Sequence, residues 1–159
     1  MVLLQFLTHM TLKQQLYKLC SEYVAKRLRT VEHIMASNKK SLEDETKSSA
    51  GDKHETGRAM LQLEMEKASQ QLQEIQVLYD ILDKIHTTTN TSKTIHLGSV
   101  IYTNYMNYYV SISAGALVVN RITFYAISVA SPIGRALLGK HEGDRISFNN
   151  QTIEVLNVI

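Results

Sequence analysis

The chain has 159 residues, 44% of them hydrophobic and 20% charged, which is enough apolar material for one or two small folded domains. Lys and Arg total 17 against 15 Asp and Glu, and this near balance excludes a protein that coats nucleic acid by charge alone. The single cysteine, Cys20, excludes an internal disulfide framework and a cysteine-rich zinc site, and it suits a reducing compartment.

Residues 1–9 read MVLLQFLTH, and this apolar stretch has neither a basic segment before it nor a small-residue cleavage site after it. We therefore expect residues 1–9 to be an extension or a disordered segment rather than a signal peptide. No apolar run approaches the roughly 20 residues that a membrane span needs. The prediction is a cytoplasmic protein without a membrane partner.

Residue types change near Ile85. Before it the chain has two glycines and no proline, whereas the rest holds the only proline, five glycines and many Ile, Val, Tyr and Thr residues. Helix formers thus give way to strand formers, with a polar stretch between them. We predict a helical region over residues 10–86, a linker over 87–94 and a small domain over 95–159.

Apolar residues spaced four and three apart predict two long amphipathic helices in the first region. The first stripe consists of Leu12, Leu16, Leu19, Tyr23, Val24, Leu28, Val31, Met35 and Leu42. The second, a heptad seam, consists of Leu61, Met65, Ala68, Leu72, Ile75, Tyr79 and Leu82. A short connection around Gly51 favours an antiparallel coiled-coil hairpin, although periodicity alone favours a dimerisation element equally.

The predicted tip of this hairpin is acidic, with five carboxylates within residues 43–55. Asp52 and Glu55 are three residues apart, so a helix that begins near Asp52 presents both on one side of its first turn. An Asp at a helix start followed by such a Glu is also a common capping arrangement. The alternative is that the pair offers oxygen ligands to Mg²⁺, with further ligands from a partner.

The last region predicts the element order β-β-β-β-α-β-β, an α+β domain. An Asn120-Arg121 turn joins the third and fourth strands, and Ser131-Pro132 supplies a cap and first residue for a short helix that Gly139 ends. The predicted elements are strands 95–103, 108–113, 116–119, 122–128, 145–148 and 151–159 and a helix over 133–138.

The segment from Ile127 to Asp144, with its string SP-I-G-R-A-L-L-G-K and a later G-D, resembles the C-terminal signature of the bacterial Gre transcript-cleavage factors. The tip Gly51-Asp52-x-x-Glu55 is similar to the acidic tip of that family's hairpin. The resemblance implies a coiled-coil hairpin that enters the secondary channel of RNA polymerase. It also implies a C-terminal domain of FK506-binding-protein-like fold that docks at the channel rim.

By this resemblance the chain is a transcription elongation factor, monomeric and without catalytic activity of its own, that stimulates RNA polymerase to cut backtracked RNA. Asp52 and Glu55 are the implied catalytic positions, and they share Mg²⁺ with the polymerase rather than binding it tightly alone. We further expect Ser131, Pro132 and Ile133 to contact the polymerase, and Lys53 and Arg58 to lie near the RNA 3′ end.

One feature of the tip departs from the family pattern. After Glu55 the chain reads Thr56-Gly57-Arg58-Ala59, where Gre factors show a run resembling N-A-E-Y, and a glycine inside a helix costs about 1 kcal/mol relative to alanine. A channel-binding regulator that inhibits or modulates RNA polymerase without cleavage therefore stays open as an alternative. A coiled-coil adaptor unrelated to transcription is a third hypothesis, which the SP-I-G-R string disfavours.

Overall fold

The structure is a computed structural model that describes residues 10–46, 51–87 and 92–159. Two long helices precede a six-stranded sheet with one short helix, which confirms the predicted α+β class and the element order. The elements are α1 (Leu12–Thr46), α2 (Gly51–Thr87), β1 (Val100–Thr103), β2 (Asn107–Ser111), β3 (Gly115–Val119), β4 (Ile122–Ser128), α3 (Pro132–Leu137), β5 (Arg145–Phe148) and β6 (Gln151–Val158). The expectation for residues 1–9 and the middle of the predicted linker lie outside the described residues.

Residues 24–79 form one compact unit, called here the hairpin unit, from the later part of α1 and the earlier part of α2. Arg27 of α1 pairs with Glu74 of α2, with Nη2 and Oε2 3.8 Å apart, while Glu45 of α1 lies beside Gly57 of α2. Early residues of one helix thus meet late residues of the other, so the two helices are antiparallel within a single chain. This confirms the predicted coiled-coil hairpin.

The seam of the hairpin unit follows the predicted heptads. Its buried apolar residues are Val24, Val31, Ala68 and Ile75. Asn38 continues the same spacing between Met35 and Leu42 and is also buried, with 8% of its surface exposed. One polar side chain therefore stands where the pattern of the seam calls for an apolar one.

The second compact unit, called here the sheet unit, contains the described residues of 10–23 and 80–159. Its strands lie in the order β3-β4-β2-β1-β6-β5. The β2·β4 pair is parallel and the other neighbouring pairs are antiparallel. The domain boundaries predicted near residues 86 and 95 stay a prediction.

Two tight turns in the sheet unit use residues in the left-handed region. Asn120 and Arg121 have φ values of 51° and 65° between β3 and β4, and Asn149 and Asn150 have 50° and 61° between β5 and β6. Positive φ at both central residues is the geometry of the hairpin turn that matches strand twist, and Asn tolerates it well among residues other than glycine. The predicted Asn120-Arg121 hairpin is confirmed.

The core of the sheet unit is one apolar cluster that takes residues from β1, β2, β4, β5, β6 and α3. It consists of Ile95, Ile101, Tyr108, Val110, Ile127, Leu137, Ile146, Ile153, Val155 and Val158. Tyr109 alternates with Tyr108 and Val110 on β2 and so faces the other side, yet it is only 1% exposed. Leu16 and Cys20 of α1 are fully buried in the same unit.

The first predicted strand is too long at its start. Residues 95–99 are not in the sheet, because Gly98 has a φ of +93° and the Ser99 amide donates to the His96 carbonyl at 3.0 Å in a turn. Ile95 instead exchanges two hydrogen bonds with the chain after α3, through the Lys140 carbonyl and the Gly139 amide. The second predicted strand likewise ends at Ser111 rather than Ser113, since the Ala114 amide turns back to the Ile112 carbonyl.

Candidate functional site

The predicted acidic tip lies where α1 ends and α2 begins. α1 extends to Thr46 and α2 begins at Gly51, so Asp52 and Glu55 both fall in the first turns of α2. Residues three apart on a helix share a face. The prediction that Asp52 and Glu55 act together requires the helix to include both positions, and it does. Glu55 is exposed to solvent, while the side chain of Asp52 lies outside the described residues.

Glu45 is a carboxylate at the tip that the sequence did not single out. A Cβ atom built on Gly57 would lie 3.2 Å from the Glu45 Oε1 atom, so the missing side chain of Gly57 leaves room for this carboxylate beside α2. The glycine that departs from the family pattern therefore has a local structural consequence. Because Gly57 has no side chain, the Glu45 carboxylate can lie next to α2, the helix that also carries Asp52 and Glu55.

A groove of about 500 Å³ runs along this end of the hairpin unit. Its walls carry three carboxylates and two apolar side chains, from Ser41, Asp44, Glu45, Gly57, Met60, Leu61 and Glu64. Met60 is 60% exposed and the nearby Leu63 is 65% exposed. The tip thus combines negative charge with exposed apolar surface.

The predicted nucleic-acid contacts also lie on α2. Arg58 is exposed one turn beyond Glu55, and Lys53 falls in the first turn with its side chain outside the described residues. Lys39 and Lys40 are exposed near the end of α1. Among the described residues, both positive and negative side chains are exposed near the tip, and the roles of Lys53 and Arg58 stay predictions.

Ser131 forms the predicted cap of α3. Its Oγ atom accepts a hydrogen bond from the Gly134 amide at 3.1 Å and donates one to the Ser128 carbonyl at 2.6 Å. Pro132 follows as the first residue of the helix and is exposed. Ile133 is half-buried and packs against the core, so of the three predicted contact residues Pro132 offers the most open surface.

Two further residues of the SP-I-G-R string have structural roles that the sequence analysis missed. A Cβ atom on Gly134 would lie only 2.0 Å from the Ser128 carbonyl oxygen, so only glycine fits there. The Arg135 Nε atom donates to the Ala130 carbonyl at 2.8 Å. The string therefore folds the chain tightly from β4 into α3, which explains its residue types without a ligand.

The described residues contain no ready-made metal site. Across residues 10–46, 51–87 and 92–159, no three His, Cys, Asp or Glu side chains gather as a metal-binding group. Neither long helix has, among its described residues, a stretch apolar enough to cross a bilayer.

Comparison with known protein families gives one match, in the sheet unit. Residues 121–159 match the family model described as transcription elongation factor, GreA/GreB, C-term. The match supports membership of the Gre-type family. It spans β4, α3, β5 and β6 and includes the Ser131 cap, whereas both long helices lie outside it. No curated protein matches the chain.

The match bears on the sequence predictions at a coarse level. It shows that residues 121–159 are similar to the C-terminal domain of GreA/GreB transcription elongation factors, while RNA polymerase as a partner stays a prediction. The roles of Asp52 and Glu55 belong to the hairpin unit and stay predictions.

Proposed function

We propose that this chain is a monomeric cytoplasmic elongation factor that binds RNA polymerase, inserts its hairpin into the secondary channel and stimulates cleavage of backtracked RNA. The observation that carries the proposal is the start of α2 at Gly51 in a chain with a Gre-type C-terminal domain. With this start, positions 52 and 55 are three residues apart in the first turns of α2, the spacing on which the proposal depends. In the proposal the chain is a cofactor, and the polymerase performs the hydrolysis.

The donor chemistry of the tip fits Mg²⁺. Carboxylate oxygens are hard ligands, and Mg²⁺ commonly takes only one or two carboxylates and keeps several waters. Two carboxylates do not bind it tightly, so Asp52 and Glu55 would share the ion with ligands of the polymerase. When bound, Mg²⁺ supplies a lowered water pKa and stabilises charge on the phosphodiester oxygens.

The chain's own residues orient and charge the site rather than attack the RNA. The nucleophilic candidate Cys20 is fully buried in the sheet unit, and burial raises the pKa of its thiol to about 11. It therefore stays a neutral thiol near pH 7. The exposed Glu55 carboxylate presents its oxygens to solvent or a partner, and Arg58 one turn away offers a positive charge to RNA phosphates.

We propose that the start of α3 docks on the polymerase through Ser131, Pro132 and Ile133. The backbone there is held rigidly by the Ser131 cap and by the Arg135 contact with the Ala130 carbonyl. A rigid, exposed turn loses little conformational freedom on binding, which favours its use as a contact surface.

One observation favours the alternative of a channel-binding regulator without cleavage. The Glu45 carboxylate lies beside Gly57, close to the turn of α2 that carries Glu55. Like charges close together oppose each other and weaken an arrangement that depends on precise carboxylate placement. In this alternative the hairpin occupies the channel but does not hold Mg²⁺ productively.

A cleavage assay separates the two functions. The protein and its Asp52→Asn/Glu55→Gln variant are added with Mg²⁺ to a stalled, backtracked elongation complex of the cognate polymerase, and RNA shortening is followed over time. We expect the variant to cut roughly a hundredfold more slowly while binding the polymerase as tightly as the wild type.

The matched control replaces another acidic pair at the same end of the hairpin, Glu43→Gln/Asp44→Asn, which removes the same charge from α1. This control is expected to retain cleavage. Binding by every variant with no cleavage by the wild type would establish the channel-binding alternative. No binding to the polymerase would contradict both.

A further inference from the structure

A cavity of about 630 Å³ lies within the sheet unit, between the first turns of α1, the end of α2 and the loop before β1. This volume is in the range of small-molecule binding sites. It is lined by Met10, Lys13, Gln14, Tyr17, Lys18, Ser21, Ile85, His96, Leu97, Gly98 and Tyr109. Neither the match to the Gre-type C-terminal domain nor the proposed tip chemistry uses these residues.

The wall formed by the loop before β1 is built rigidly. The Gly98 amide donates to the Val110 carbonyl at 2.7 Å, and the His96 amide donates to the Ser99 Oγ atom at 3.0 Å. Gly98 has a φ of +93°, and a Cβ atom there would lie 3.5 Å from the Ile85 Cγ2 atom. Loop and helix thus approach closely, and the cavity exists before any ligand arrives.

One side of the cavity is apolar. Leu97 and Ile85 line it and are half-buried, whereas the lining residue Tyr109 of β2 is only 1% exposed and offers little surface of its own. Aliphatic side chains of this kind bury the ring-sized body of a small ligand favourably.

The other side carries basic side chains. Lys13, Lys18 and His96 line the cavity, and none of its described lining residues is acidic. Lys18 already pairs with Glu22, with Nζ and Oε1 4.0 Å apart, so Lys13 is the cation on which the charge argument rests. In the part of the chain that the structure describes, the Lys13 ammonium has no carboxylate partner, and burial together with the nearby Lys93 lowers its pKa. The charge of Lys13 is therefore partly desolvated and uncompensated, which is unfavourable until an anion pairs with it.

Among the described residues, one ring nitrogen of His96 has hydrogen-bond partners and the other has none. Its Nδ1 atom lies 2.7 Å from the Thr94 carbonyl oxygen, and because a carbonyl only accepts, Nδ1 carries a proton. That hydrogen bond fixes the orientation of the ring. The Nε2 atom is the nitrogen left for a polar group in the cavity.

We propose that this cavity binds a small amphipathic anion, with its apolar ring on Leu97 and Ile85 and its acidic group paired with Lys13. The charge complementarity selects an anion over a neutral or cationic ligand, and the volume selects a body of one or two rings. The inference goes beyond the proposed function, because the ligand site belongs to the sheet unit and the cleavage chemistry to the hairpin unit.

Two fluorescent probes that differ by one acidic group test the proposal on the full chain. The anion is 8-anilinonaphthalene-1-sulfonate, and its neutral analogue is N-phenyl-1-naphthylamine. We expect saturable one-to-one binding of the sulfonate, at least tenfold tighter than that of the neutral amine. In the Lys13→Gln variant the sulfonate is expected to bind about tenfold more weakly, with the amine unchanged.

The matched control is Lys26→Gln, which removes the same charge from an exposed lysine of α1 that does not line the cavity. It should bind both probes like the wild type, and neither variant should unfold at a lower temperature than the wild type. Equal binding of sulfonate and amine, or equal loss in both lysine variants, would overturn the proposal. Much tighter sulfonate binding by a chain that starts at Met10 would also overturn it, because residues 1–9 would then be the occupant.

Discussion

The sheet unit and the hairpin unit are stabilised in different ways. In the sheet unit, Leu137, Ile153 and Phe124 are at most 1% exposed and come from elements far apart in the chain. In the hairpin unit the buried residues form a single seam, one of them is the polar Asn38, and Met60 and Leu63 are largely exposed. The sheet unit depends on dense long-range packing, and the hairpin unit on local helix formation and a narrow seam.

Packing therefore constrains residue types in the sheet unit more than in the hairpin unit. The Gre-type match falls entirely within the sheet unit, where packing and tight turns fix residue types such as Gly134. The proposed cleavage residues lie in the hairpin unit, where the described one, Glu55, is exposed to solvent and is not fixed by packing. The residue types at the tip are therefore constrained by the proposed chemistry rather than by the stability of the fold.

The largest expected effect comes from one leucine truncation in each unit. Leu137→Ala removes a fully buried side chain and leaves a cavity, so we expect a loss of about 4 kcal/mol of unfolding free energy. Leu72→Ala in the seam, where the leucine is 37% exposed, is expected to cost about 1 kcal/mol. Urea unfolding measures both. Equal losses would contradict the contrast between the units.

Glycine-to-alanine changes are expected to act with opposite sign in the two units. Gly134→Ala forces a Cβ atom against the Ser128 backbone carbonyl and should cost about 3 kcal/mol. Gly57→Ala lies within α2, and its nearest contact is the movable end of Glu45, so helix propensity should stabilise the hairpin by up to about 1 kcal/mol. Thermal unfolding compares them, and a stabilised Gly134→Ala variant would refute the tight turn.

Asn38→Leu should stabilise the hairpin unit. The Asn38 Nδ2 atom is buried without a hydrogen-bond partner among the described residues, and a desolvated donor costs about 1–2 kcal/mol. A leucine at this seam position restores the apolar stripe, whereas Ser37→Leu on the exposed neighbouring position should change little. Loss of stability in the Asn38→Leu variant would indicate that the amide has a partner that the described residues do not show.

A pH dependence of stability is expected above pH 9. Burial raises the pKa of Cys20 to about 11, so the folded chain retains a proton that the unfolded chain releases from about pH 9 upward. The stabilisation is complete below that pH and is lost as the pH rises toward 11. We expect the unfolding temperature to fall over this window.

A Cys20→Val variant isolates this contribution. Tyr108 and Tyr109, whose pKa values burial also raises, act in the same direction, whereas Lys13, with a lowered pKa, acts in the opposite one. Tyr108 and Lys13 are the same in both proteins, whereas the charge of Cys20 also raises the pKa of Tyr109, so the difference between the two pH profiles reports Cys20 together with its effect on Tyr109. Parallel profiles from pH 8 to 11 would show that the thiol is not buried as described.

Local signals in the sequence predicted most of the fold. The heptads of both helices, the Asn120-Arg121 turn and the Ser131 cap each depend on residues close in the chain, and the structure confirms them. The parallel pairing of β2 with β4 and the pairing of β1 with β6 join distant segments and leave no local pattern. The turn at residues 95–99 was missed because its apolar residues imitate a strand.

The candidate site was predictable only in part. The three-residue spacing of Asp52 and Glu55 is visible in the sequence, and so is the cap that Ser131 provides. The contact of Glu45 with Gly57, and the cavity between Lys13 and Tyr109, arise from segments that only the folded chain brings together.

We propose that the tip carboxylates help the polymerase to hold Mg²⁺. A titration of RNA cleavage with Mg²⁺ measures this contribution directly. Cleavage rates in the backtracked complex are measured over a range of Mg²⁺ concentrations with the wild type and with Glu55→Gln, a change at an exposed site. If Glu55 helps to hold the ion, the half-saturating Mg²⁺ concentration is expected to be roughly tenfold higher in the variant, and high Mg²⁺ should partly restore cleavage. Superimposable curves for the two proteins would contradict it.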